Sequence, residues 1–208
     1  MENVLDTYAL EYDSNIPVIC VDEKPYQLLA DTFSSLPAQP GRVKREDYEY
    51  IRKGTCNFFI VFEPLTQTRH LKVTNQRTAI DFAHFMNEVS EMYPKAKVIK
   101  VVLDNLNIHN PGSFYQAFEA GYANTLTKRF EFVYTPLHGS WLNMAEIEFS
   151  ALERQCIRKR IPSLEQLQKH VEIWTQERNR KKVQINWCFT TQDARIKFKR
   201  FYQSITNL

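Results

Sequence analysis

KVIKVVLDN, residues 97–105, is an apolar run that breaks off abruptly at Asp104 and Asn105. An unbroken row of Val, Ile and Leu suits a strand buried on both faces. IPVICVDEKP (16–25) has the same build and runs into Asp22, and FEFVYTP (130–136) reads as a third buried strand. If the first two are parallel neighbours, Asp22 and Asp104 emerge at one sheet edge, where ligand chemistry collects in open α/β sheets. Aspartate also ends strands because it forms turns, so neither residue decides alone. Asp104 is followed by Asn105, Asn107 and His109, more polar groups than a connection requires.

TCNFFIVFEP (55–64) and TRHLKVT (68–74), split by a turn at Leu65 to Gln67, read as an antiparallel hairpin. Residues 26–53, with Pro37, Pro40, Gly41 and a charged tract, read as a long surface loop. Thr78 can cap a helix that ends before Pro94, and a short helix is expected from Ser113 to Ala120. Further helices are expected from Asn143, from Ser163 to about Lys181, and from Gln192 to Tyr202. Strands and helices in this order predict an α/β fold, a mixed five-stranded sheet flanked by helices.

HGSWLNMAEIEFSALERQC (138–156) holds three glutamates. Leu142, Ala145, Phe149, Leu152 and Cys156 recur at i+3 and i+4, which defines the buried stripe of a helix. Glu148 falls on one flank of that stripe and reads as a surface charge. Glu153, on the other flank, lies two turns from the start and reads as a helix residue paired with an arginine. Glu146 alone is in the first turn. It fits a capping box with Asn143, and it equally fits a third carboxylate beside Asp22 and Asp104. Three such groups at ~4 Å repel one another and raise each other's pKa. Divalent cations relieve the repulsion. Carboxylate oxygens suit Mg²⁺ or Mn²⁺, and a pair of ions ~3.5–4 Å apart suits phosphoryl transfer.

Composition narrows the class. The chain has 208 residues, 43% of them apolar and 25% charged, which fits one globular domain, 1–208. No apolar run approaches the ~18 residues of a membrane span, and MENVLDTYALEYDSN lacks the layout of a signal peptide. Cys20, Cys56, Cys156 and Cys188 are widely spaced and read as reduced core or near-core residues of a cytosolic protein. Net charge is +3, unevenly spread: residues 151–208 carry 13 Lys and Arg against 5 Asp and Glu, or +8. The clusters Arg158-Lys159-Arg160 and Arg180-Lys181-Lys182 read as solvated helix faces or as phosphate contacts for nucleic acid.

VICVDEKP, VVLDNLNIH, YTPLHGSWLNMAEIEFSALERQCI and INWCFTTQDARIKFKRFY together resemble the catalytic domain of bacterial insertion-sequence transposases of the mariner superfamily. The resemblance runs from about Met1 to Tyr202. It implies an RNase H-like fold and an Asp-Asp-Glu site made of Asp22, Asp104 and Glu146, holding Mg²⁺ or Mn²⁺, two ions in all. The implied activity is strand cleavage at transposon ends, followed by joining of 3′ ends to target DNA, usually at TA. Asn105, Asn107, His109, His138 and Asn143 are then expected beside the carboxylates or on DNA. Arg158, Lys159, Arg160, Arg180, Lys181 and Lys182 are expected on the DNA backbone, residues 163–208 forming a basic helical extension. The implied partners are double-stranded DNA and a second copy of the chain or a separate N-terminal DNA-binding portion. The implied setting is the bacterial cytoplasm, on the nucleoid. Family members carry helix-turn-helix modules ahead of this domain, and only about twenty residues precede the first strand, so the chain reads as a catalytic-domain fragment. A remnant that binds DNA or a partner without cutting is the competing reading. A different RNase H-like nuclease is disfavoured by the WLNMAE and INWCFTTQDAR stretches.

Overall fold

The computed structural model describes residues 1–45, 47–200 and 202. Five strands form one sheet: β1 (Val18–Asp31), β2 (Tyr50–Glu63), β3 (Thr68–Thr74), β4 (Ile99–Leu103) and β5 (Phe130–Tyr134). Their order is β3-β2-β1-β4-β5. The first three are antiparallel, whereas β4 runs parallel to β1 and β5 parallel to β4. The helices are α1 (Glu2–Tyr8), α2 (Ala79–Met92), α3 (Gly112–Ala117), α4 (Ala120–Arg129), α5 (Met144–Gln155), α6 (Leu164–Arg180) and α7 (Thr191–Lys197). This is the mixed, helix-flanked five-stranded sheet that the sequence predicts. None of the described helices is long and apolar enough to cross a membrane.

Strand alternation divides the interior into two layers. Cys20, Phe58, Ile60, Phe62 and Val102 face α1, α5, α6 and α7, whose Val4, Leu5, Phe149, Leu152, Leu167, Val171 and Ala194 complete that layer. Ile19, Val21, Phe59, Val61, Val101 and Leu103 face α2, α3 and α4, packing on Phe82, Phe85, Met86, Phe114 and Leu126. The α2 helix starts at a full capping box, Thr78 with Asp81.

Three expectations are corrected. The supposed loop 26–53 is largely strand, because β1 continues to Asp31 and β2 begins at Tyr50. Beyond Cys20, β1 pairs only with β2 in the sheet ladder, so its other edge carries no strand there, although the Leu29 amide donates to the Ile161 carbonyl at 3.1 Å. Pro25, which has no N–H to donate, is tolerated on such an edge. The segment after β4 folds as two helices rather than one, and α1 was not expected. Cys188 is exposed rather than near the core, although all four cysteines are unpaired. The last helix is regular from Thr191 to Lys197, turns at Phe198 and is helical again at Lys199, Arg200 and Tyr202, so its expected reach is met among the described residues. Phe201, inside the expected extension to Tyr202, lies outside the described residues, as do residues 203–208.

Candidate active site

Asp22 sits in mid-strand on β1, at the level where β4 stops. The parallel register pairs Cys20 with Val102, so its continuation sets Asp22 opposite Asp104, one residue past the end of β4. Asp22 shares the face of Cys20 and points into the α5 layer, where it is 9% exposed. Its Oδ1 accepts from the Glu23 amide at 2.8 Å, and its Oδ2 has only a long contact, 3.5 Å, to the Asn143 side-chain amide. Burial, then the charge of Glu146, then those of Glu23 and Asp104, push its carboxyl up to about 7.

Asn143 explains how α5 comes to this edge. Its Oδ1 caps the helix by accepting from the Ala145 amide at 3.1 Å, and its Nδ2 donates to the Val21 carbonyl at 2.8 Å. One side chain thus starts the helix and fastens it to β1 beside Asp22. Tyr8 of α1 adds a second tie, donating to the Leu142 carbonyl at 2.8 Å while standing 3.3 Å from the Cys20 sulfur. The turn before the helix depends on Gly139, where a Cβ would lie 2.6 Å from Pro136 Cγ and 2.9 Å from the Pro136 carbonyl oxygen. Trp141 packs edge-on against Phe189, 5.4 Å between ring centres, so the loop is anchored to the segment before α7.

The three glutamates part company. Glu146 is exposed in the first turn of α5 and does not complete a capping box: the Asn143 amide donates instead to the Ser140 carbonyl at 2.7 Å. Among the described residues its carboxylate makes no hydrogen bond or ion pair. Glu148, expected on the surface, is fully buried. It meets the Arg69 Nε at 3.1 Å and the Arg178 Nη2 at 2.8 Å, joining β3, α5 and α6. The correction has a physical cause, since both arginines are far from Glu148 in sequence and a helical-wheel argument cannot see them. Glu153 pairs with Lys24 at 2.7 Å rather than with an arginine.

Asp104 is tethered by His109. The imidazole is wholly buried, with Nδ1 2.5 Å from Asp104 Oδ1 and Nε2 2.7 Å from Glu23 Oε2. Burial alone would lower its pKa, but its hydrogen bonds to two carboxylates outweigh that and raise it to about 10. With a carboxylate oxygen facing each nitrogen, the surroundings favour the protonated imidazole, which can donate on both sides. Burial likewise raises Asp104, and the His109 hydrogen bond and charge more than reverse it, holding the carboxyl below its ordinary range. Sequence reasoning placed His109 near this site but missed Glu23. The residue after a buried aspartate must face the other layer, and only the observed strand length makes that argument available.

The remaining expected residues are more scattered. Asn105 and Asn107 are exposed and, with Glu23 and Arg77, line a cleft of ≈ 310 Å³ beside Asp104. His138 is exposed in the left-handed region at φ 60° and helps line a separate, mostly apolar hollow with Leu137, Trp141 and Phe198. Arg160, expected on phosphate, is occupied within the chain: its two terminal nitrogens donate to Asp31 and to the carbonyls of Asp47, Tyr48 and Glu49. Arg180 and Lys181 share Glu177 at 2.8 and 2.9 Å on the surface. Arg158 and Lys159 line an open groove of ≈ 900 Å³ between the ends of α5 and α6, and Lys182 is exposed nearby.

As they stand, no group of three or more His, Cys, Asp or Glu side chains among the described residues is arranged so that it could hold a metal ion. The donor chemistry fits a hard divalent ion all the same: carboxylates from β1, the end of β4 and the start of α5, one of them driven to about 7 by burial and by its neighbours' charge.

The profile of the DDE superfamily endonucleases matches residues 17–168, most of the chain. No curated protein sequence matches it. Among solved structures the fold is similar to the Mos1 mariner paired-end complex with Mn, at TM-score 0.57 and 14% identity over 87% of this chain and 57% of that one. It is also similar to the Mos1 strand transfer complex, at 0.55 and 13% over 88% and 56%, and to the paired-end complex with Mg, at 0.53 and 13% over 89% and 62%. At such identities the likeness is one of fold, RNase H-like, and the chain spans less than two thirds of the length of those proteins. The fold and the profile match over residues 17–168 lead to one conclusion: the chain belongs to the DDE superfamily of endonucleases.

Proposed function

We propose that the chain is the catalytic domain of a mariner-superfamily transposase of the bacterial insertion-sequence kind, which cleaves DNA strands and transfers them with the help of divalent cations. What supports this reading is that the charges of Glu146 and Asp104 both act on Asp22, which the parallel register sets opposite Asp104. Asp22 is buried and raised to about 7, and Glu146 has no partner among the described residues. Without a compensating cation such a group of carboxylates is costly, and a purely structural edge would have no use for it.

Asp22, Asp104 and Glu146 would hold Mg²⁺ or Mn²⁺, two ions in this reading. Bound there, the ions would supply activation of the attacking oxygen and stabilisation of the leaving oxygen in phosphoryl transfer. The protein's own part is placement. Asn143 and Tyr8 fix the start of α5, and with it Glu146, against β1. His109 fixes Asp104 and balances its charge. Asn105 and Asn107, exposed beside Asp104, serve as DNA contacts, and so does His138 from its neighbouring hollow. Arg158, Lys159, Arg180, Lys181 and Lys182 serve the phosphate backbone, where exposed pairs such as those of Glu177 exchange readily for phosphate. The structures similar in fold are a paired-end and a strand transfer complex, which supports transposon-end DNA as partner; the same reading takes a TA target and a second copy of the chain or a separate end-binding portion as the other partners. The place of action is the bacterial cytoplasm, on the nucleoid.

The test is nicking of end-labelled duplex DNA in Mn²⁺ by the wild type and by Asp104→Ala. Cleavage by the wild type alone is expected. Equal cleavage by both, or none by either, sinks the catalytic reading and leaves a DNA- or partner-binding remnant.

A further inference from the structure

Asp22 and Glu23 are consecutive on β1, so their side chains leave opposite faces of the sheet. Glu23 enters the face of Ile19 and Val21, with its side chain 1% exposed. An ionised group at such a depth costs several kcal/mol unless it is paired. Its one hydrogen bond is to His109, 2.7 Å from Oε2, and Oε1 is buried with no hydrogen-bond partner among the described residues. A residue needed only to fill this layer would be aliphatic like its neighbours.

What Glu23 does is visible from the far side of the imidazole. His109 is held at every point: its amide donates to the Leu106 carbonyl, its carbonyl accepts from the Tyr134 hydroxyl at 2.7 Å, and its ring lies 4.9 Å from that of Phe82. Its Nδ1 takes Asp104 Oδ1 at 2.5 Å and approaches the Asp104 carbonyl at 3.1 Å. Asp104 itself lies past the end of β4, outside the ladder, with its side chain 32% exposed. Nothing in the sheet fixes its rotamer. One oxygen is taken by His109 and the Leu106 amide, and Oδ2 has no hydrogen bond among the described residues.

We infer that Glu23 is a positioning residue for Asp104, acting through His109. This rests on the reading of Asp104 as a cation-holding carboxylate. Glu23 fixes the imidazole from behind, the imidazole claims one oxygen of Asp104, and the other oxygen is left turned to the site. Partners of this kind, one bond removed from a metal-binding group, change metal affinity by about 10–100-fold when lost.

The experiment uses the full chain without DNA and two readouts. The first is the ¹³Cγ shift and side-chain couplings of Asp104 by NMR, in a chelator. Glu23→Leu is expected to move the shift and average the couplings, and Glu23→Gln, which keeps an oxygen to accept from His109, is expected to stay near wild type. The second is Mn²⁺ affinity by EPR, expected to fall about tenfold in Glu23→Leu and to be unaffected by the same change in an Asp104→Asn background. Should Glu23→Leu fail to fold, Glu23→Asp, which withdraws the carboxylate from His109, takes its place with the same expectations. Wild-type Asp104 signals in the folded variant, or an equal loss of Mn²⁺ affinity in the Asp104→Asn background, would overturn the inference. If the wild type binds no Mn²⁺, the cation reading of the site fails, and the Asp104 signals still decide whether Glu23 positions it.

Discussion

At the scale of single residues the site is defined by unequal treatment of like groups. Asp22 is buried and raised to about 7, whereas Asp104, some five residues from its histidine, is held low. The linkage for Asp22 has a definite sign. An unfolded aspartate releases its proton near pH 4, so between about pH 4 and 7 the folded protein holds a proton that the unfolded chain has lost. Stability therefore falls as pH rises through that window. In a chelator, the wild type is expected to lose on the order of 2–4 kcal/mol relative to Asp22→Asn between pH 4 and pH 8. Denaturant titrations of both proteins measure it, and a difference that does not vary with pH contradicts the assignment. The same residues show the reach of sequence reading. The placement of the two aspartates on neighbouring parallel strands was legible because each follows an apolar run directly. Glu146 was legible as either a cap or a ligand, and only the Asn143 amide, donating to Ser140 instead, removes the first use.

At the scale of elements, α5 is fastened at its start and at its middle. Asn143 and Tyr8 hold its start to β1, and Glu148 holds its middle to β3 and α6 through Arg69 and Arg178. Removing one member of a buried ion cluster leaves the others uncompensated. Glu148→Ala is thus expected to cost about 3–5 kcal/mol, against under about 1 kcal/mol for Glu153→Ala at its exposed pair with Lys24. Equal losses in chemical unfolding would refute the division between them. The turn before α5 gives a further prediction. Gly139→Ala must push a methyl into Pro136, so about 1–3 kcal/mol of stability should go, together with cleavage activity. Unchanged unfolding midpoints would show that the turn yields without strain. These contacts were the least legible part of the chain. Periodicity reports which residues share a face of one helix, but Glu148 is buried by arginines 79 and 30 residues away. The length of β1 was hidden for a related reason: Pro25 reads as a stop, and only its position on an open edge makes it harmless.

At the scale of the whole molecule, the alternation of apolar runs and amphipathic helices carried the architecture, and the sheet order then brought Asp22 and Asp104 side by side. The basic C-terminal part proved more divided than its composition suggests. Arg160 and Arg178 are spent on internal contacts, and Arg158, Lys159 and Lys182 remain outward-facing. The central claim is that Asp22, Asp104 and Glu146 work as one unit, and members of a unit are grossly non-additive when removed. The most direct measurement is the rate of Mn²⁺-dependent nicking of duplex DNA by Asp22→Asn, Asp104→Asn, Glu146→Gln and the triple variant, with circular dichroism to establish that each folds. Each single change should abolish cleavage about as completely as all three together. A Glu146→Gln protein that nicks DNA at the wild-type rate would contradict the account.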